Sequence, residues 1–176
     1  MSLPAYAAST VIPSMCRPLI AITKFVGVCS LGLLTGISFS TSYASIKSLL
    51  TLPSAPAAHR SFTALKSTLS TLTGRLTILT TISFLTSYLL SPPHKKHPYL
   101  LITSIIPLFS GVYSFAILGP KSARMERLIV ENGERGVNGE ELRDGMMEWE
   151  RASWGVAGIY GVGFGMGVVG LWGDGA

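Results

Sequence analysis

Four long apolar stretches dominate the pattern of hydrophobic and polar positions along this chain of 176 residues. They are residues 19–41, 72–90, 99–119 and 152–172. A helix that crosses the bilayer core of about 30 Å needs about 20 apolar residues, because lipid offers the backbone no hydrogen-bond partners. The pattern therefore predicts an all-α membrane protein with four transmembrane helices in a small bundle.

Two of the predicted spans contain a single charged residue. Lys24 lies in the first span, and Arg75 lies one turn inside the second. A cation near the end of a span can extend its side chain to the lipid headgroups, where it costs far less than the roughly 2.5–3.5 kcal/mol expected at the bilayer centre. We therefore retain 72–90 as a spanning helix.

Shorter and more polar segments flank and connect the spans. Pro92 and Pro93 end the second span, because proline lacks the amide hydrogen and clashes with the preceding turn. The short connection after them makes the second and third helices antiparallel neighbours. The predicted segments are an N-terminal tail at 1–18, a loop at 42–71 with a helical extension of the second span, a tight basic hairpin at 91–98, a charged loop at 120–151 and a C-terminal tail at 173–176.

The charged loop contains a helix-start signal. Asn138 followed three positions later by Glu141 resembles a capping box, and we expect a short amphipathic helix over 140–153 that runs into the last span. The residues of its apolar face are Leu142, Met146 and Trp149. One interpretation takes Trp149 and Trp154 as interfacial anchors of the last span, and the other takes the apolar face as a surface for a partner protein.

Charge is scarce and unevenly placed. Charged residues make up 13% of the chain, about half of the ~25% found in soluble domains. No Asp or Glu precedes Glu126, so catalysis by paired carboxylates has no residues to use in the first two thirds of the chain, which argues against a soluble hydrolase. The net charge of +5 comes from basic residues spread singly along apolar sequence, so we expect no nucleic-acid partner.

Glycines recur at four-residue spacing in the first and last spans. Helices in lipid associate through close packing, and small residues at this spacing let two backbones approach. The predicted helix-packing residues are Gly32, Gly36, Gly161, Gly163, Gly165 and Gly167. Their placement favours contact between the first and last helices of one chain, and contact between two copies of the protein remains an alternative.

Candidate polar chemistry is confined to the basic hairpin. His94 and His97 flank Lys95 and Lys96, whose ammonium groups oppose cation binding by the two histidines. We expect Lys95 and Lys96 to contact lipid phosphates instead. The sequence has no phosphate-binding loop, dinucleotide-binding motif, nucleophile elbow or zinc-hydrolase motif, so we expect no catalytic residue, cofactor, metal or enzymatic activity.

The distribution of Lys and Arg predicts the orientation in the membrane. Nine of these residues lie in the first and third connections, against three on the side that holds both termini. Because cytosolic loops carry the excess of basic residues, we expect the first and third connections in the cytosol. The apolar run at 19–41 is about twice the length usual in a signal peptide, so we expect it to remain as a helix.

Two short strings open the first and third spans. They read Ala21-Ile22-Thr23-Lys24, followed by Gly27, Gly32 and Gly36, and His97-Pro98-Tyr99-Leu100-Leu101. Both resemble the fungal autophagy-related protein 33 family over roughly residues 19–119, together with the glycine-rich character of the last helix. The resemblance implies a small multi-pass protein of the mitochondrial outer membrane that is needed for selective autophagy of mitochondria. The third loop is longer and more polar in the yeast member, so the resemblance assigns no role to residues 120–151.

The resemblance also implies autophagy machinery as a partner, reached through the cytosolic loops. A direct receptor would present an aromatic-x-x-aliphatic motif with acidic neighbours to the ubiquitin-like protein of the autophagosome. The matches at 43–46 and 62–65 lie among basic residues, and 149–152 ends in alanine. We therefore expect a regulator or scaffold of mitophagy, with a small four-helix membrane enzyme of the anthrone-oxygenase type as the alternative.

Overall fold

The computed structural model describes residues 16–92, 97–136 and 138–173, and within these ranges all regular structure is helical. The helices are α1 (Cys16–Ser40), α2 (Ile46–Leu49), α3 (Ala55–Leu90), α4 (Pro98–Tyr113), α5 (Gly119–Gly136) and α6 (Gly139–Gly173). A π-helical turn at Thr41–Ser45 joins α1 to α2, and a second one at Ser114–Leu118 joins α4 to α5. The chain therefore forms four long helical rods: α1 with α2, α3 alone, α4 with α5, and α6 alone.

Local polar groups determine where two of the rods begin. Ser54 precedes α3, and its hydroxyl accepts a hydrogen bond from the backbone N–H of Ala57 at 3.4 Å. Asn138 precedes α6, and its side-chain oxygen accepts from the backbone N–H of Glu140 at 3.1 Å. Each cap satisfies an N–H group that has no partner within its own helix.

The rods pack as an antiparallel bundle in which each contacts two neighbours. α1 packs against α3 and α6, and α4 packs against the same two helices. At one end of the bundle, the hydroxyls of Thr23 in α1 and Ser87 in α3 lie 2.7 Å apart. Further along, the Tyr113 hydroxyl in α4 donates to the carbonyl of Ala152 in α6 at 3.2 Å. Consecutive rods are therefore neighbours that run in opposite directions.

Two buried clusters hold the bundle together. The span cluster lies at the level of the middle of α1 and consists of Val28, Leu31, Leu34, Phe84, Leu100 and Tyr160. The hairpin cluster lies at the other end and consists of Ile46, Ala58, Phe62, Leu118, Met125, Leu142, Met146 and Trp149. Burial of these apolar side chains favours packing of the rods against one another.

Three of the rods are long and apolar enough to cross a membrane: Pro18–Leu49, Pro98–Glu131 and Gly139–Gly173. α3 contains the remaining predicted span, 72–90, and is as long as the others. It is less apolar because residues 61–91 include 14 Ser and Thr. Length and composition of the described helices thus establish three candidate spans rather than four.

The helices extend well beyond the predicted spans. The predicted loop at 42–71 is helical except around residues 50–54, and the predicted charged loop at 120–151 is a helical hairpin formed by α5 and the first part of α6. Packing between the two helices explains the difference, since Met125 of α5 is buried against Met146 of α6. The predicted amphipathic segment and the last span form one helix without a break.

Candidate functional site

The charged hairpin, defined as α5 together with residues 139–151, encloses an apolar interior. Met125, Leu142 and Met146 are almost completely buried. The Trp149 ring stands perpendicular to the ring of Phe62 in α3, with 5.3 Å between the ring centres. This edge-to-face arrangement is a favourable aromatic geometry, so the hairpin is anchored on the bundle through its apolar face.

This burial corrects one expectation for a partner-binding face. Leu142, Met146 and Trp149 do share one face of a helix, but Phe62 and Met125 cover it. The face is therefore part of the core and is not available to another protein. Trp154, one turn beyond Trp149, remains partly exposed and makes an edge contact with Phe39.

The outer surface of the charged hairpin carries ion pairs. Lys66 of α3 lies 3.0 Å from Glu126, and Lys121 lies 3.1 Å from Glu148. The hydrogen bond and the positive charge of Lys121 hold the pKa of Glu148 below its usual value of 4.5. Because these side chains are exposed, each pair contributes little to stability.

A cavity of about 490 Å³ separates the hairpin cluster from the span cluster. Its floor includes the buried residues Ser38, Thr41, Ser153 and Tyr160. Both π-helical turns contribute residues to its wall. Single π-helical turns within α-helices are frequent at functional sites. Sequence reasoning missed this cavity.

Four of the nine hydroxyl groups that line the cavity donate to backbone carbonyls. Thr41 donates to the carbonyl of Ile37 at 2.8 Å, and Ser153 donates to that of Glu150 at 2.7 Å. The hydroxyl oxygens of Thr77 and Tyr160 lie 3.4 Å apart, which joins α3 to α6 at the cavity wall. The remaining surface of the wall is mainly apolar.

Two glycines lie where the cavity opens. Gly74 of α3 and Gly111 of α4 line it, both are exposed, and a Cβ atom added to either would meet no atom within 4 Å. Each is an isolated glycine inside a helix, where glycine costs about 1 kcal/mol relative to alanine. That cost marks the two positions in the sequence as unusual, but it does not indicate a cavity.

The predicted helix-packing glycines divide into two groups. A Cβ atom on Gly32 would lie 2.9 Å from the Phe164 ring, and one on Gly163 would lie 2.8 Å from Ile106. A Cβ atom on Gly167 would lie 3.2 Å from Val28, and one on Gly161 would make an ordinary contact with Thr35 at 3.7 Å. These glycines lie between helices of the same chain, with α1 and α6 in direct contact.

Gly36 and Gly165 form the second group. A Cβ atom at either position would meet nothing within 4 Å, so neither lies at a close contact between helices of this chain. Packing of these two glycines against a second copy of the protein stays a prediction.

The predicted lipid-phosphate contacts Lys95 and Lys96 lie outside the described residues, as does His94. Among the described side chains, no group of three or more His, Cys, Asp or Glu residues lies together in a way that could hold a metal ion.

Comparison with known proteins identifies relatives over most of the chain. The family profile described as Autophagy-related protein 33 matches residues 15–141. A protein named Autophagy-related protein 33 from Gibberella zeae is 35% identical over 183 aligned residues, which cover 89% of this chain and 92% of the relative. No solved structure matches. The matched region contains α1 to α5 and the start of α6, and with this extent of similarity the chain belongs to the autophagy-related protein 33 family.

Proposed function

We propose that this protein crosses the mitochondrial outer membrane four times and promotes the selective autophagy of mitochondria as a regulator or scaffold. Membership of the autophagy-related protein 33 family carries the autophagy role. The three long apolar helices support a membrane location.

The exposed surface of α3 supports a fourth span. Ile78, Ile82 and Leu89 expose 57–64% of their surface on this helix. Exposed aliphatic and aromatic residues cover the corresponding outer faces of the other three rods, including Phe25 of α1, Phe109 of α4 and Val169 of α6. Burying one such face in lipid while leaving the adjacent α3 face in water would be unfavourable, so the apolar belt encloses all four rods.

Aromatic side chains support a position for the membrane boundary. Trp154 and Trp172 lie at the two ends of the apolar surface of α6 and are separated by about 27 Å of helix. Trp side chains are enriched at both membrane interfaces. Near Trp154, Tyr43 stacks on Phe39 and receives the Lys47 ammonium over its ring at 5.0 Å. The charged hairpin therefore projects from the membrane at this end.

The proposed orientation places the charged hairpin in the cytosol and both termini on the other side. The excess of Lys and Arg on the hairpin side supports this direction. Autophagy proteins would contact the exposed polar faces of α5 and α6, where Arg127, Arg143 and Asp144 lie. A second copy of the chain could approach at Gly36 and Gly165, whose faces are open.

A regulatory or scaffold role fits the structure better than direct receptor binding. The three aromatic-x-x-aliphatic candidates all lie in helical segments, and Ile46, Phe62 and Trp149 within them are buried together. Direct receptor binding would require an extended segment that adds to a sheet edge of the partner protein and exposes the side chains that the partner binds. Helical segments with these side chains buried do not meet that requirement. The role is also non-enzymatic in this proposal, supported by hydroxyls that donate to backbone carbonyls rather than to a base.

Deletion of the gene tests the proposal. A reporter protein in the mitochondrial matrix, clipped on arrival in the vacuole, should show reduced clipping during starvation, and re-expression of the chain should restore it. A cytosolic reporter of general autophagy serves as control and should be unaffected. Normal clipping of the matrix reporter in the deletion strain would overturn the mitophagy role.

A further inference from the structure

The cavity between the two clusters is elongated along α3. Its lining runs from Lys66 to Thr77, eleven residues of helix or about 16 Å. Lys66 lies on the hairpin side of the proposed membrane boundary, and Thr77 lies within the apolar belt next to the exposed Ile78. The cavity thus reaches from the headgroup level into the hydrocarbon region.

The opening of the cavity faces sideways. Buried residues of α1 and α6 form its floor, whereas exposed residues line the side formed by α3, α4 and the π-helical turn after α4, namely Ser70, Gly74, Gly111 and Phe115. The two glycines leave the gap between α3 and α4 unobstructed. A lateral opening at this level meets lipid, so a molecule can enter from the bilayer without passing through water.

The wall of the cavity suits a hydrocarbon chain. Ile37, Leu69, Phe115, Leu118 and Val156 supply apolar surface along its length. The hydroxyls of Thr41 and Thr73 point back to carbonyls of their own helices at 2.8 and 2.7 Å. An acyl chain in this space would displace water from an apolar surface, and these two hydroxyls would keep their hydrogen-bond partners.

The charge of one lining residue indicates which polar group the bound molecule carries. Among the described residues that line the cavity, Lys66 alone is charged. Its ammonium group pairs with Glu126 at 3.0 Å on an exposed surface, where such pairs are weak and exchange readily. A lysine at the level of the headgroups attracts lipid phosphate. We propose that the cavity binds one glycerophospholipid, with an acyl chain lying along α3 and the phosphate at Lys66.

This inference rests on the membrane placement proposed above and is independent of the autophagy role. Extraction of membranes with alkaline carbonate separates the two possible failures. Release of the chain into the supernatant would refute the membrane placement, whereas a chain that stays in the membrane without a site-bound lipid would refute this inference alone.

Photo-crosslinking tests the acyl-chain site. The full chain is reconstituted in phosphatidylcholine vesicles that contain a phosphatidylcholine with a diazirine on one acyl chain, and labelled peptides are mapped by mass spectrometry. Label should concentrate on residues 66–77 and 111–122. Gly74→Leu and Gly111→Leu should each reduce this label by about tenfold, because the new side chains occupy the opening and a loss of roughly 1.4 kcal/mol in binding gives that factor.

Gly36→Leu is the matched control, since Gly36 is also a helical glycine with open surroundings but does not line the cavity. Its labelling should equal that of the unaltered chain. Label spread evenly over the exposed faces of all four rods, or label unchanged in both cavity variants, would overturn the proposal. Preferential labelling of the same peptides by a diazirine sterol would overturn it too, because the occupant would then lack a phosphate.

A second measurement tests the phosphate. Phospholipid that remains with the detergent-purified chain should fall about fivefold in Lys66→Gln, which removes one lysine–phosphate attraction. Lys121→Gln removes a lysine with a similar glutamate pair outside the cavity and should leave the lipid content unchanged. Equal lipid content in the two variants would refute the role of Lys66.

Discussion

The hydroxyl oxygens of Ser42 and Ser153 lie 2.7 Å apart, although 111 residues separate them in sequence. Both side chains are buried, and each lies within donating distance of a carbonyl of its own helix. One hydroxyl donates to its carbonyl while the other donates across the pair. The pair joins the π-helical turn after α1 to the middle of α6 at the level of the proposed membrane boundary. It is therefore a direct link between the first and last rods.

A double-mutant cycle measures that link. Ser42→Ala and Ser153→Ala should each destabilise the protein, and their effects should fail to add by about 0.6 kcal/mol, the typical size for hydrogen bonds between membrane helices. The measurement is reversible unfolding in mixed detergent, followed by tryptophan fluorescence. Ser48→Ala is the control, since this exposed hydroxyl bonds only to the carbonyl of Ala44. If the effects of Ser42→Ala and Ser153→Ala were fully additive, the two side chains would not form a link.

Glycines two positions apart in α6 should respond oppositely to substitution. Gly163→Leu places side-chain atoms against Ile106 and Leu31, so it should destabilise the bundle by about 1–3 kcal/mol through overpacking. Gly165→Leu meets open space and should leave stability unchanged or raise it by up to about 1 kcal/mol. The same detergent unfolding experiment compares them. Equal losses would mean that Gly165 contacts another helix.

Loss of the Trp149 side chain should destabilise the hairpin cluster. Trp149→Ala removes the contact with Phe62 and leaves a cavity, for which about 3–5 kcal/mol is expected. Trp154→Ala, which alters a partly exposed ring, should cost considerably less. Limited proteolysis of the purified chain gives the readout, because opening of the hairpin exposes α5. If Trp149 instead served as a partner surface, the variant would keep its resistance to protease.

Acid should weaken the pair of Glu148 and Lys121. The pKa of Glu148 lies below its usual 4.5 in the folded protein because of the hydrogen bond and charge of Lys121. The pair therefore favours the folded state above pH 4.5, and this contribution disappears as the pH falls through the lower pKa of the folded protein. NMR titration of the Glu148 carboxyl detects the shift. Lys121→Met should raise the midpoint toward 4.5, and an unchanged midpoint would exclude Lys121 as its cause.

Protease accessibility tests the orientation. Protease added to intact mitochondria should cut between α5 and α6, near residues 136–139, and should leave a tag at the C-terminus protected until detergent is added. The excess of Lys and Arg in the first and third connections is the reason for this direction. Digestion of the C-terminal tag without detergent would reverse the topology.

Helices could be predicted from the sequence where a long run of residues contains no charge. Residues 99–119 and 152–172 contain no charge, so their helices required no knowledge of neighbours. The extension of α5 through Gly136 could not be predicted, because its charged sequence includes glycines and its stability depends on burial of Met125. Tertiary packing overrides weak local propensity there.

The sequence also could not show which residues pack against a predicted apolar face. The periodicity of Leu142, Met146 and Trp149 predicts an apolar face but not that Phe62, about 80 residues earlier, lies over it. The cavity has the same origin, since its lining residues come from all four rods. Contacts between distant segments follow from how the rods are arranged, and a pattern within one helix does not contain that arrangement.

The two π-helical turns have a consequence for changes in chain length. In an α-helix, deletion of one residue rotates everything beyond it by about 100° relative to everything before it. A π-helical turn already holds one residue more than an α-helical turn, so loss of one residue within Thr41–Ser45 can be absorbed by conversion to α-helix. The same holds for Ser114–Leu118. A deletion of one residue at either turn therefore lets the segments on both sides keep the faces that they present to the rest of the bundle.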